Sequence, residues 1–307
     1  MEMMTASAVA QMIGGTVISG DHTIEADNGA IDSRNVTNNS IFFAIPGTKC
    51  DGHDFINNAV NAGAKIIVVE KKLEELILDE NAKKATYIKV ISSMRALASM
   101  ASAYRNKFDI PVVGITGSVG KTTTKEMVYS VLSAKYKTLK SEGNYNSETG
   151  LPLSILNLNR DYKTAVFEMG MDQMGEIDFL TRIARPYIGI ITNIGVSHIE
   201  ILGSQKNILR AKLEIENGLM DDGTMILNAD DDYLYSVKNN LKHPIIYYGI
   251  ENADAEYRAE NIKVGDKTTE FDVITPYGRF SAKINAMGKH NVFNALAAII
   301  TGFLSFM

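Results

Sequence analysis

The segment GITGSVGKTTTKEM, residues 114–127, places three glycines, a lysine and a run of threonines between an apolar stretch and a helix-like stretch. Glycines let the backbone turn tightly and bring its N–H groups close to an anion at a helix N-terminus. Lys121 can then reach the β and γ oxygens of a nucleotide, and the hydroxyl of Thr122 can ligate magnesium. We therefore predict phosphate binding by Gly117, Ser118, Val119, Gly120, Lys121, Thr122 and Thr123.

The loop departs from the strict pattern G-x-x-x-x-G-K-[ST]. That pattern requires glycine at position 115, where this chain has Ile115. A purely structural turn that happens to contain GKT is the alternative. The order of strand, glycine loop, GKT and helix favours a variant phosphate loop.

Two side chains farther along the chain could bind a metal ion beside such a loop. Glu168 ends the apolar strand AVFEMG, where a direct or indirect magnesium carboxylate would lie; the alternative is a solvated glutamate at a strand end. His198 follows another strand, in TNIGVSHIEILGS. It is either a metal ligand or a surface histidine held by hydrogen bonds.

Lys212 shares a helical face with Ile208 and Ile215. One interpretation is a lysine at the edge of an apolar stripe that extends its amine into water. The other is a functional lysine directed at the phosphates. The spacing alone does not separate them.

These side chains need a framework that brings strand ends together. After Pro111, near-continuous apolar runs alternate with helix-like segments, as expected for a parallel sheet buried on both faces. The predicted strands are VVGI, TAVFEM, IGIITNI, TMILNA and PIIYYG, and the predicted helices are KEMVYSVLSAKY, GEIDFLTRIA and QKNILRAKLEIENGL. The pattern predicts a doubly wound, mostly parallel α/β sheet that binds ligands at the carboxyl ends of its strands. From about residue 256 to 284 the apolar period becomes two, which predicts a β appendage before the last helix.

A smaller domain precedes this sheet. The strand candidates SIFFAI and KIIVVE alternate with the helix candidate HDFINNAVNAGA, which predicts a small α/β N-terminal domain. We place it at residues 1–85 and a central domain at residues 86–307. The helix-like segment SSMRALASMASAYRN, which ends shortly before Pro111, marks a second place where the domains could divide.

The bulk composition is that of a soluble globular protein, since 45% of the 307 residues are hydrophobic and 22% are charged. The net charge of −5 argues mildly against a nucleic-acid partner. The single cysteine, Cys50, rules out an internal disulfide framework and suits a reducing cytoplasm. We therefore expect a cytoplasmic protein.

Neither end of the chain predicts a membrane segment. The start, MEMMTASAVAQMIGG, predicts a helix capped by Thr5 rather than a signal peptide. The last stretch, NALAAIITGFLSFM, is apolar nearly all round but too short to span a bilayer. Such a helix is either buried in the preceding domain or left uncovered because the chain ends before the part that covers it.

Together these segments resemble the Mur ligase family, the ATP-dependent amide-bond ligases of peptidoglycan assembly, over essentially the whole chain. DSRNVTNNSIFFAIPGTKCDGHDFINNAVNAGA resembles the family's nucleotide-sugar-binding domain, and GITGSVGKTTTKEM resembles its modified phosphate loop. The member that adds D-alanyl-D-alanine to UDP-N-acetylmuramoyl-tripeptide is most similar in the blocks NYNSETGLPLSIL, FEMGMDQMGEI, ARPYIGIITNIGVSHIEILGS and GKHNVFNALAA.

The resemblance implies roles for individual residues. ATP and Mg²⁺ would be held by Lys121 and Thr122, and Lys212 matches a lysine that some members carry as a carbamate, a further magnesium ligand. The implied catalytic residues are Lys121, Glu168, His198 and Lys212, and the implied metal ligands are Thr122, Glu168, His198 and carbamylated Lys212. Adenine contacts are implied for Asn291 and Asn294. Contacts to the UDP-sugar-peptide substrate are implied for Ser33, Arg34, Thr48, Asn144 and Asn146.

The resemblance also implies a reaction. A peptide carboxylate attacks the γ-phosphate of ATP to give an acyl phosphate, and the amine of D-alanyl-D-alanine then displaces phosphate. The family has a third, C-terminal domain that carries the acceptor site, so we expect a truncated chain that binds UDP-substrate and ATP but ligates poorly.

Three alternatives stay open. One is another Mur or folylpolyglutamate-type ligase, although the latter offers no counterpart for DSR…DGHDF. Another is a non-catalytic module that binds the UDP-substrate and ATP. A switch GTPase is weaker, because the chain has no guanine-reading N-K-x-D motif.

Overall fold

The structure is a computed structural model that describes residues 1–306. The chain forms two compact units. The first contains Met1–Phe108 and Pro152–Arg160, and the second contains Asp109–Leu151 and the chain from Asp161 onward.

The first unit is a small α/β domain. Its elements in chain order are β1 (Met4–Thr5), α1 (Ala6–Ile13), β2 (Thr16–Ser19), β3 (Glu25–Ala26), β4 (Asn28–Ala30), β5 (Ser40–Phe43), α2 (Ile56–Ala62), β6 (Ala64–Val69), β7 (Thr86–Lys89) and α3 (Ser93–Arg105). Thr5 caps α1 as predicted, because its side chain accepts a hydrogen bond from the N–H of Ala8. Five strands form one sheet in the order β2-β7-β6-β5-β4, and β1 pairs with β3. Strand β5 is buried along its whole length, as its apolar sequence predicts.

The position of β7 corrects the predicted domain boundary. This strand lies inside the first sheet, parallel to β6 and antiparallel to β2. Helix α3 also belongs to this unit and packs against α1. A boundary after residue 85 is therefore too early: the first unit continues to Phe108, and Pro152–Arg160 also belongs to it. The apolar pattern of a strand identifies the strand but not the sheet with which it pairs.

The second unit contains a larger sheet with helices. Its first elements are β8 (Val112–Thr116), α4 (Lys121–Ser133), β9 (Thr138–Lys140), α5 (Gly150–Leu156, which continues into the first unit), β10 (Thr164–Glu168), α6 (Glu176–Ala184), β11 (Ile188–Ile191) and α7 (Ile199–Leu202). The later elements are α8 (Gln205–Leu213), β12 (Thr224–Asn228), α9 (Asp232–Tyr235), β13 (Ile245–Gly249), β14 (Tyr257–Val264), β15 (Thr269–Thr275), β16 (Gly278–Ile284) and α10 (Lys289–Phe306).

Nine strands form this sheet in the order β16-β15-β14-β13-β12-β11-β8-β10-β9. The pairs from β9 to β14 are parallel, and β14, β15 and β16 are antiparallel. This confirms a mostly parallel sheet domain with a β appendage. After β8 the chain adds β9 and β10 on one side of β8, and it then crosses to add β11 on the other side. The strand order therefore reverses at β8. A crevice at the carboxyl ends of β8 and its neighbours is the expected ligand site.

Helix α10 is covered within its own unit. It packs against α4 and against strands β12 to β15. Near its end, the ring of Phe303 contacts the rings of Tyr257, Tyr277 and Phe280. Of the two explanations for this apolar helix, burial in the preceding domain is therefore correct, and the apolar face gives no argument for a missing cover. Within residues 1–306, none of the helices combines the length and apolar character that a membrane crossing requires.

Candidate nucleotide-binding site

The predicted phosphate loop connects β8 to α4 at the carboxyl edge of the sheet. All five residues of β8 are buried, which anchors the loop. Gly117 and Gly120 have φ angles of +147° and +85°, a region that favours glycine. A Cβ atom at Gly117 would lie 1.9 Å from the Oγ1 of Thr192, and one at Gly120 would lie 2.9 Å from the Oδ1 of Asn294. The backbone conformation and the packing therefore both require glycine at these positions.

The amine of Lys121 is folded over this loop. Its Nζ donates hydrogen bonds to the carbonyl oxygens of Gly117 at 2.8 Å and Ser118 at 3.4 Å. Burial lowers the pKa of Lys121, and the charge of Glu168 acts in the opposite direction. The loop thus holds a cation whose hydrogen-bond partners in the described part of the chain are neutral carbonyl oxygens.

Within residues 1–306, some backbone N–H groups of the loop are bound within the protein and others are not. Ser118 and Val119 donate theirs to Asn193, through its carbonyl oxygen and its Oδ1 respectively, each at 3.1 Å. Inside α4, the N–H of Thr124 bonds the carbonyl oxygen of Gly120. Among the described residues, no acceptor is recorded for the N–H groups of the first three helical residues, 121–123. The N–H groups at the start of α4 are therefore available to an anion.

Glu168 is buried at the carboxyl end of β10, with an exposed fraction of 3%. The strand register places it beside Ile115 of β8. Its Oε2 accepts a hydrogen bond from Thr122 Oγ1 at 2.8 Å, and its Oε1 accepts one from Asn146 Nδ2 at 2.9 Å. The alternative of a solvated strand-end glutamate is therefore wrong. A buried carboxylate held by neutral donors is suited to a cation, and a carboxylate and a hydroxyl oxygen are ligands that magnesium accepts.

His198 lies apart from these contacts. It immediately precedes the short helix α7 with a φ angle of +63°, and its Nδ1 is 3.2 Å from Asp172 Oδ1. Both side chains are at least 36% exposed. Residues 1–306 contain no cluster of three or more His, Cys, Asp and Glu side chains arranged to hold a metal ion. The predicted ligand set does not depend on such a cluster, because it combines Glu168 and His198 with the hydroxyl of Thr122 and a modified Lys212.

Lys212 is buried on α8 with an exposed fraction of 2%. Within the part of the chain that the structure describes, its amine has no recorded hydrogen bond or ion pair. Burial, and then the nearby charge of Lys121, lower the pKa of Lys212 to about 7. A lysine that extends its amine into water would not be buried in this way, so that interpretation is wrong. Among the described residues, the only charge that acts on Lys212 is the like charge of Lys121, which favours an anion beside the Lys212 amine.

Asn291 and Asn294, implied for adenine, both lie on α10, and Asn294 joins this helix to α4. Asn294 Oδ1 accepts a hydrogen bond from Thr124 Oγ1 at 3.1 Å, and its Nδ2 donates to Asn291 Oδ1 at 3.1 Å. Asn291 Nδ2 in turn donates to the carbonyl oxygen of Met287 at 2.8 Å. The amide of Asn294 lies beside Gly120.

Lys125 and Ser141, which no sequence motif singled out, organise the segment that carries Asn144 and Asn146. Lys125 is 1% exposed, and its Nζ donates to the carbonyl oxygen of Ser141 at 2.8 Å and, more weakly, to that of Gly143 at 3.5 Å. The hydroxyl of Ser141 accepts the N–H of Glu168 at 3.1 Å. The only sequence signal was a lysine one helical turn after Lys121. Asn144 is exposed, whereas the amide of Asn146 is bound to Glu168.

Ser33, Arg34 and Thr48, implied for the UDP-substrate, all lie in the first unit. Ser33 and Arg34 begin a short 3₁₀ helix whose cap is Asp32. The guanidinium of Arg34 forms an ion pair with Asp32 at 2.6 Å and is 86% exposed. Thr48 is exposed in a loop closed by a bridge between Pro46 and Asp51. These residues are accessible to a ligand of this unit.

Comparison with known proteins agrees with the fold and the loop. Residues 13–105 match the Mur ligase family, catalytic domain, and residues 115–302 match the Mur ligase middle domain. A UDP-N-acetylmuramoyl-tripeptide--D-alanyl-D-alanine ligase of Bacillus subtilis (strain 168) is 36% identical over 299 residues, which cover 97% of this chain and 63% of that protein.

Two solved structures are also similar. A crystal structure of MurF from Acinetobacter baumannii has a TM-score of 0.90 and 30% identity, covering 99% of this chain and 65% of that one. The structure of MurF ligase from Thermotoga maritima in complex with ADP has a TM-score of 0.79 and 28% identity, covering 91% of this chain and 63% of that one.

The chain therefore spans 63–65% of the length of these relatives. The middle-domain match at residues 115–302 alone accounts for more than half of the chain and includes most of the phosphate-loop motif and the side chains around it. The chain belongs to the Mur ligase family.

Proposed function

We propose that the chain binds ATP and Mg²⁺ at the loop between β8 and α4, and that it is part of an ATP-dependent amide-bond ligase of peptidoglycan precursor synthesis. The observation that carries this proposal is the group formed by Lys121, the acceptor-free N–H groups at the start of α4 and the Thr122–Glu168 hydrogen bond. This group combines donors for phosphate oxygens with a buried carboxylate for a divalent ion. The solved relative from Thermotoga maritima in complex with ADP supports a nucleotide as the ligand.

The reaction requires two anions, a carboxylate and a triphosphate, to be held together. The amine of Lys121 lowers the repulsion between them, and the N–H groups at the start of α4 orient the phosphates. Thr122 and Glu168 would hold Mg²⁺, which supplies further positive charge at the transferred phosphoryl group when it is bound. The carboxylate of the substrate would attack the γ-phosphate and release ADP, and an amine would then displace phosphate from the acyl phosphate to form the amide, with loss of a proton.

A carbamate on Lys212 belongs to this proposal. With its pKa lowered to about 7, a large fraction of the amine is neutral near neutral pH and can attack carbon dioxide with loss of a proton. The product replaces a buried cation by a carboxylate-like ligand for Mg²⁺. Intact mass or electron density showing an unmodified lysine in the nucleotide-bound state would contradict it.

The substrates are proposed from the relatives. Their names identify UDP-N-acetylmuramoyl-tripeptide and D-alanyl-D-alanine as the molecules that they join, and we propose the same pair here. The proposed contacts to the UDP-substrate are Ser33, Arg34, Thr48, Asn144 and Asn146. A cytoplasmic location and the absence of a nucleic-acid partner stay predictions.

The test is calorimetry of the 307-residue chain with a non-hydrolysable ATP analogue, with and without Mg²⁺, and separately with UDP-N-acetylmuramoyl-tripeptide. We expect the chain to bind both ligands, and we expect Mg²⁺ to raise the affinity for the ATP analogue. Folate binding in place of the UDP-substrate would favour a folylpolyglutamate-type ligase. Failure to bind the analogue would contradict the proposal.

Lys121→Ala is the corresponding variant for the reaction. The rate is measured with the 307-residue chain supplemented by a separately supplied C-terminal domain of the family. Because the substitution removes a preorganised charge at the phosphates, we expect ligation to slow by roughly 100-fold or more. Lys267→Ala, an exposed lysine on the turn between β14 and β15, is the matched control and should leave the rate unchanged. Near-normal turnover of the Lys121 variant would refute its assignment.

A further inference from the structure

The apex of the phosphate loop is held by the segment that follows β11. Asn193 contacts both peptide groups of Val119: its Oδ1 accepts the N–H at 3.1 Å, and its Nδ2 donates to the carbonyl oxygen at 2.9 Å. Thr192 Oγ1 donates to the same carbonyl oxygen at 2.6 Å. The carbonyl oxygen of Asn193 accepts the N–H of Ser118 at 3.1 Å.

These hydrogen bonds are the main restraint on the apex. The side chain of Val119 is 64% exposed, so it contributes little apolar burial at this point. Gly117 and Gly120 flank the apex and give the backbone more freedom than other residues would. A loop of this kind keeps one conformation only if its polar groups are bound.

The segment that provides these hydrogen bonds is itself anchored. The N–H of Thr192 donates to the carbonyl oxygen of Thr116 at 3.0 Å, which continues the pairing of β11 with β8. The N–H of Ile194 donates to Asp231 Oδ2 at 2.7 Å, and the N–H of Gly195 donates to Ser118 Oγ at 2.9 Å. Thr192 is 3% exposed. Asn193 is therefore fixed on both sides along the chain.

This arrangement determines which donors remain for phosphate. With the N–H groups of Ser118 and Val119 bound to Asn193, the N–H groups of residues 121–123 at the start of α4, for which no acceptor is recorded among the described residues, lie next to the amine of Lys121. If Val119 turned outward, the loop would lose this geometry before any nucleotide arrived. Because Asn193 already holds the peptide groups of Val119 in place, nucleotide binding does not have to supply the free energy that orders the loop.

We propose that Asn193, supported by Thr192, is a positioning residue for the nucleotide: it holds the peptide groups of Val119 so that the phosphates meet the start of α4 and Lys121. This inference rests on the proposed binding of ATP at the loop. Asn193 acts through the loop backbone and does not itself bind the nucleotide.

The experiment compares Asn193→Ala with the unmodified chain by calorimetry, using a non-hydrolysable ATP analogue with Mg²⁺ and, separately, UDP-N-acetylmuramoyl-tripeptide. The variant loses two hydrogen bonds to the loop, so we expect about 10-fold weaker binding of the analogue. The affinity for the UDP-substrate should stay within about 2-fold. A general structural defect would weaken both ligands, so the ratio of the two affinities identifies a positioning role.

A second pair of variants tests the same role in case Asn193→Ala does not fold. Thr192→Val keeps the shape of the side chain but removes its hydrogen bond to Val119, and we expect about 5-fold weaker binding of the analogue. Thr192→Ser keeps the hydroxyl and should bind as the unmodified chain does. Thermal unfolding of each variant shows whether it is folded.

The outcomes separate the two proposals. If the unmodified chain does not bind the analogue, the proposed function fails before Asn193 is considered. If the unmodified chain binds and the Asn193 and Thr192→Val variants bind equally well or more tightly, the positioning role is wrong; tighter binding would mean that Asn193 competes with phosphate for the N–H groups of Ser118 and Val119. Equal weakening of both ligands would also overturn it.

Discussion

Glu168 and Lys212 are both ionisable and both at least 97% buried, yet they lie in opposite electrostatic situations. Glu168 is stabilised by hydrogen bonds from Thr122 and Asn146 and by the nearby charge of Lys121. Burial, and then the like charge of Lys121, favour the neutral form of Lys212. A buried group whose charge is disfavoured in the folded state costs stability, unless a ligand or a modification compensates it.

The stability of the protein should therefore depend on pH through Lys212. Its pKa is about 7 in the folded chain and 10.5 as the ordinary value, so the unfolded chain binds more protons between these pH values. The cost of burying Lys212 is largest below pH 7 and disappears above about pH 10.5. Lys212→Met removes this group while keeping an apolar stem.

We expect the stability advantage of Lys212→Met over the unmodified chain to shrink as the pH rises from 7 to 10, by about 1.4 kcal/mol per pH unit. Urea unfolding at several pH values measures this difference. The measurement is made without nucleotide and with carbon dioxide removed, so that a carbamate does not form. A difference that is constant with pH would show that Lys212 is charged in the folded chain.

Glu168→Gln tests whether this single residue is a ligand of Mg²⁺. Glutamine can still accept the hydrogen bond from Thr122, but it removes the charge that attracts a divalent ion. We expect the gain in affinity for the ATP analogue on adding Mg²⁺ to fall by about 10-fold, with little change in its absence. Glu142→Gln, an exposed glutamate of the neighbouring segment, is the control and should keep the full Mg²⁺ effect. An unchanged Mg²⁺ effect in the Glu168 variant would exclude it as a metal ligand.

At the scale of elements, the site is the shared edge of four parallel strands. The carboxyl ends of β8, β10, β11 and β12 carry the phosphate loop, Glu168, the segment of Asn193 and the segment of Asp231. Because the strands run in one direction, each of these segments leaves the sheet at the same edge. Hydrogen bonds from Ile194 to Asp231 and from Thr192 and Asn193 to Val119 then join three of the segments.

Gly117→Ala tests this close approach of two elements. A methyl group would be placed 1.9 Å from Thr192 Oγ1, and φ is already in the region that favours glycine. We expect the free energy of unfolding to fall by roughly 3 kcal/mol, the sum of backbone strain and steric overlap. Urea denaturation measures the change.

Gly143→Ala is the matched control for that substitution. Gly143 also has a positive φ, +49°, but no heavy atom lies within 4 Å of the added methyl group. Gly143→Ala therefore measures the cost of placing alanine at a positive φ without steric overlap. We expect the free energy of unfolding to fall by about 1 kcal/mol. Equal losses in the two variants would show that Gly117 does not approach Thr192 as closely as described.

At the scale of the whole molecule, the chain consists of two units with separate cores. The core of the first unit includes Phe42, Ile67 and Tyr87, and that of the second includes Val113, Val166 and Leu296. The segment Pro152–Arg160 belongs to the first unit although it lies far along the chain. There the carbonyl oxygen of Leu158 accepts a hydrogen bond from the hydroxyl of Tyr104 at 2.7 Å.

The domain boundary is testable with two fragments. Residues 1–108 keep the whole five-stranded sheet, whereas residues 1–85 lack β7, an interior strand. Losing an interior strand exposes both neighbouring edges and most of the core. We expect a cooperative thermal transition, followed by circular dichroism, only for residues 1–108. Cooperative unfolding of residues 1–85 with the same midpoint would favour the earlier boundary.

The sequence by itself determined the features that depend on neighbouring residues. Apolar runs in strands and helices predicted the parallel sheet and its β appendage, and the glycines with Lys121 and Thr122 predicted the phosphate loop and its position between β8 and α4. Such signals are readable because the period of a strand or helix and the chemistry of a tight turn are local.

Only the tertiary structure decided how the site is completed. Thr122 and Glu168 are 46 residues apart in the chain, and Val119 and Asn193 are 74 residues apart, so no local pattern predicts either hydrogen bond. The burial of Lys212 and the assignment of β7 to the first sheet likewise depend on which elements pack together. Contacts between distant residues follow from the pairing of strands and helices, and that pairing exists only in the folded chain.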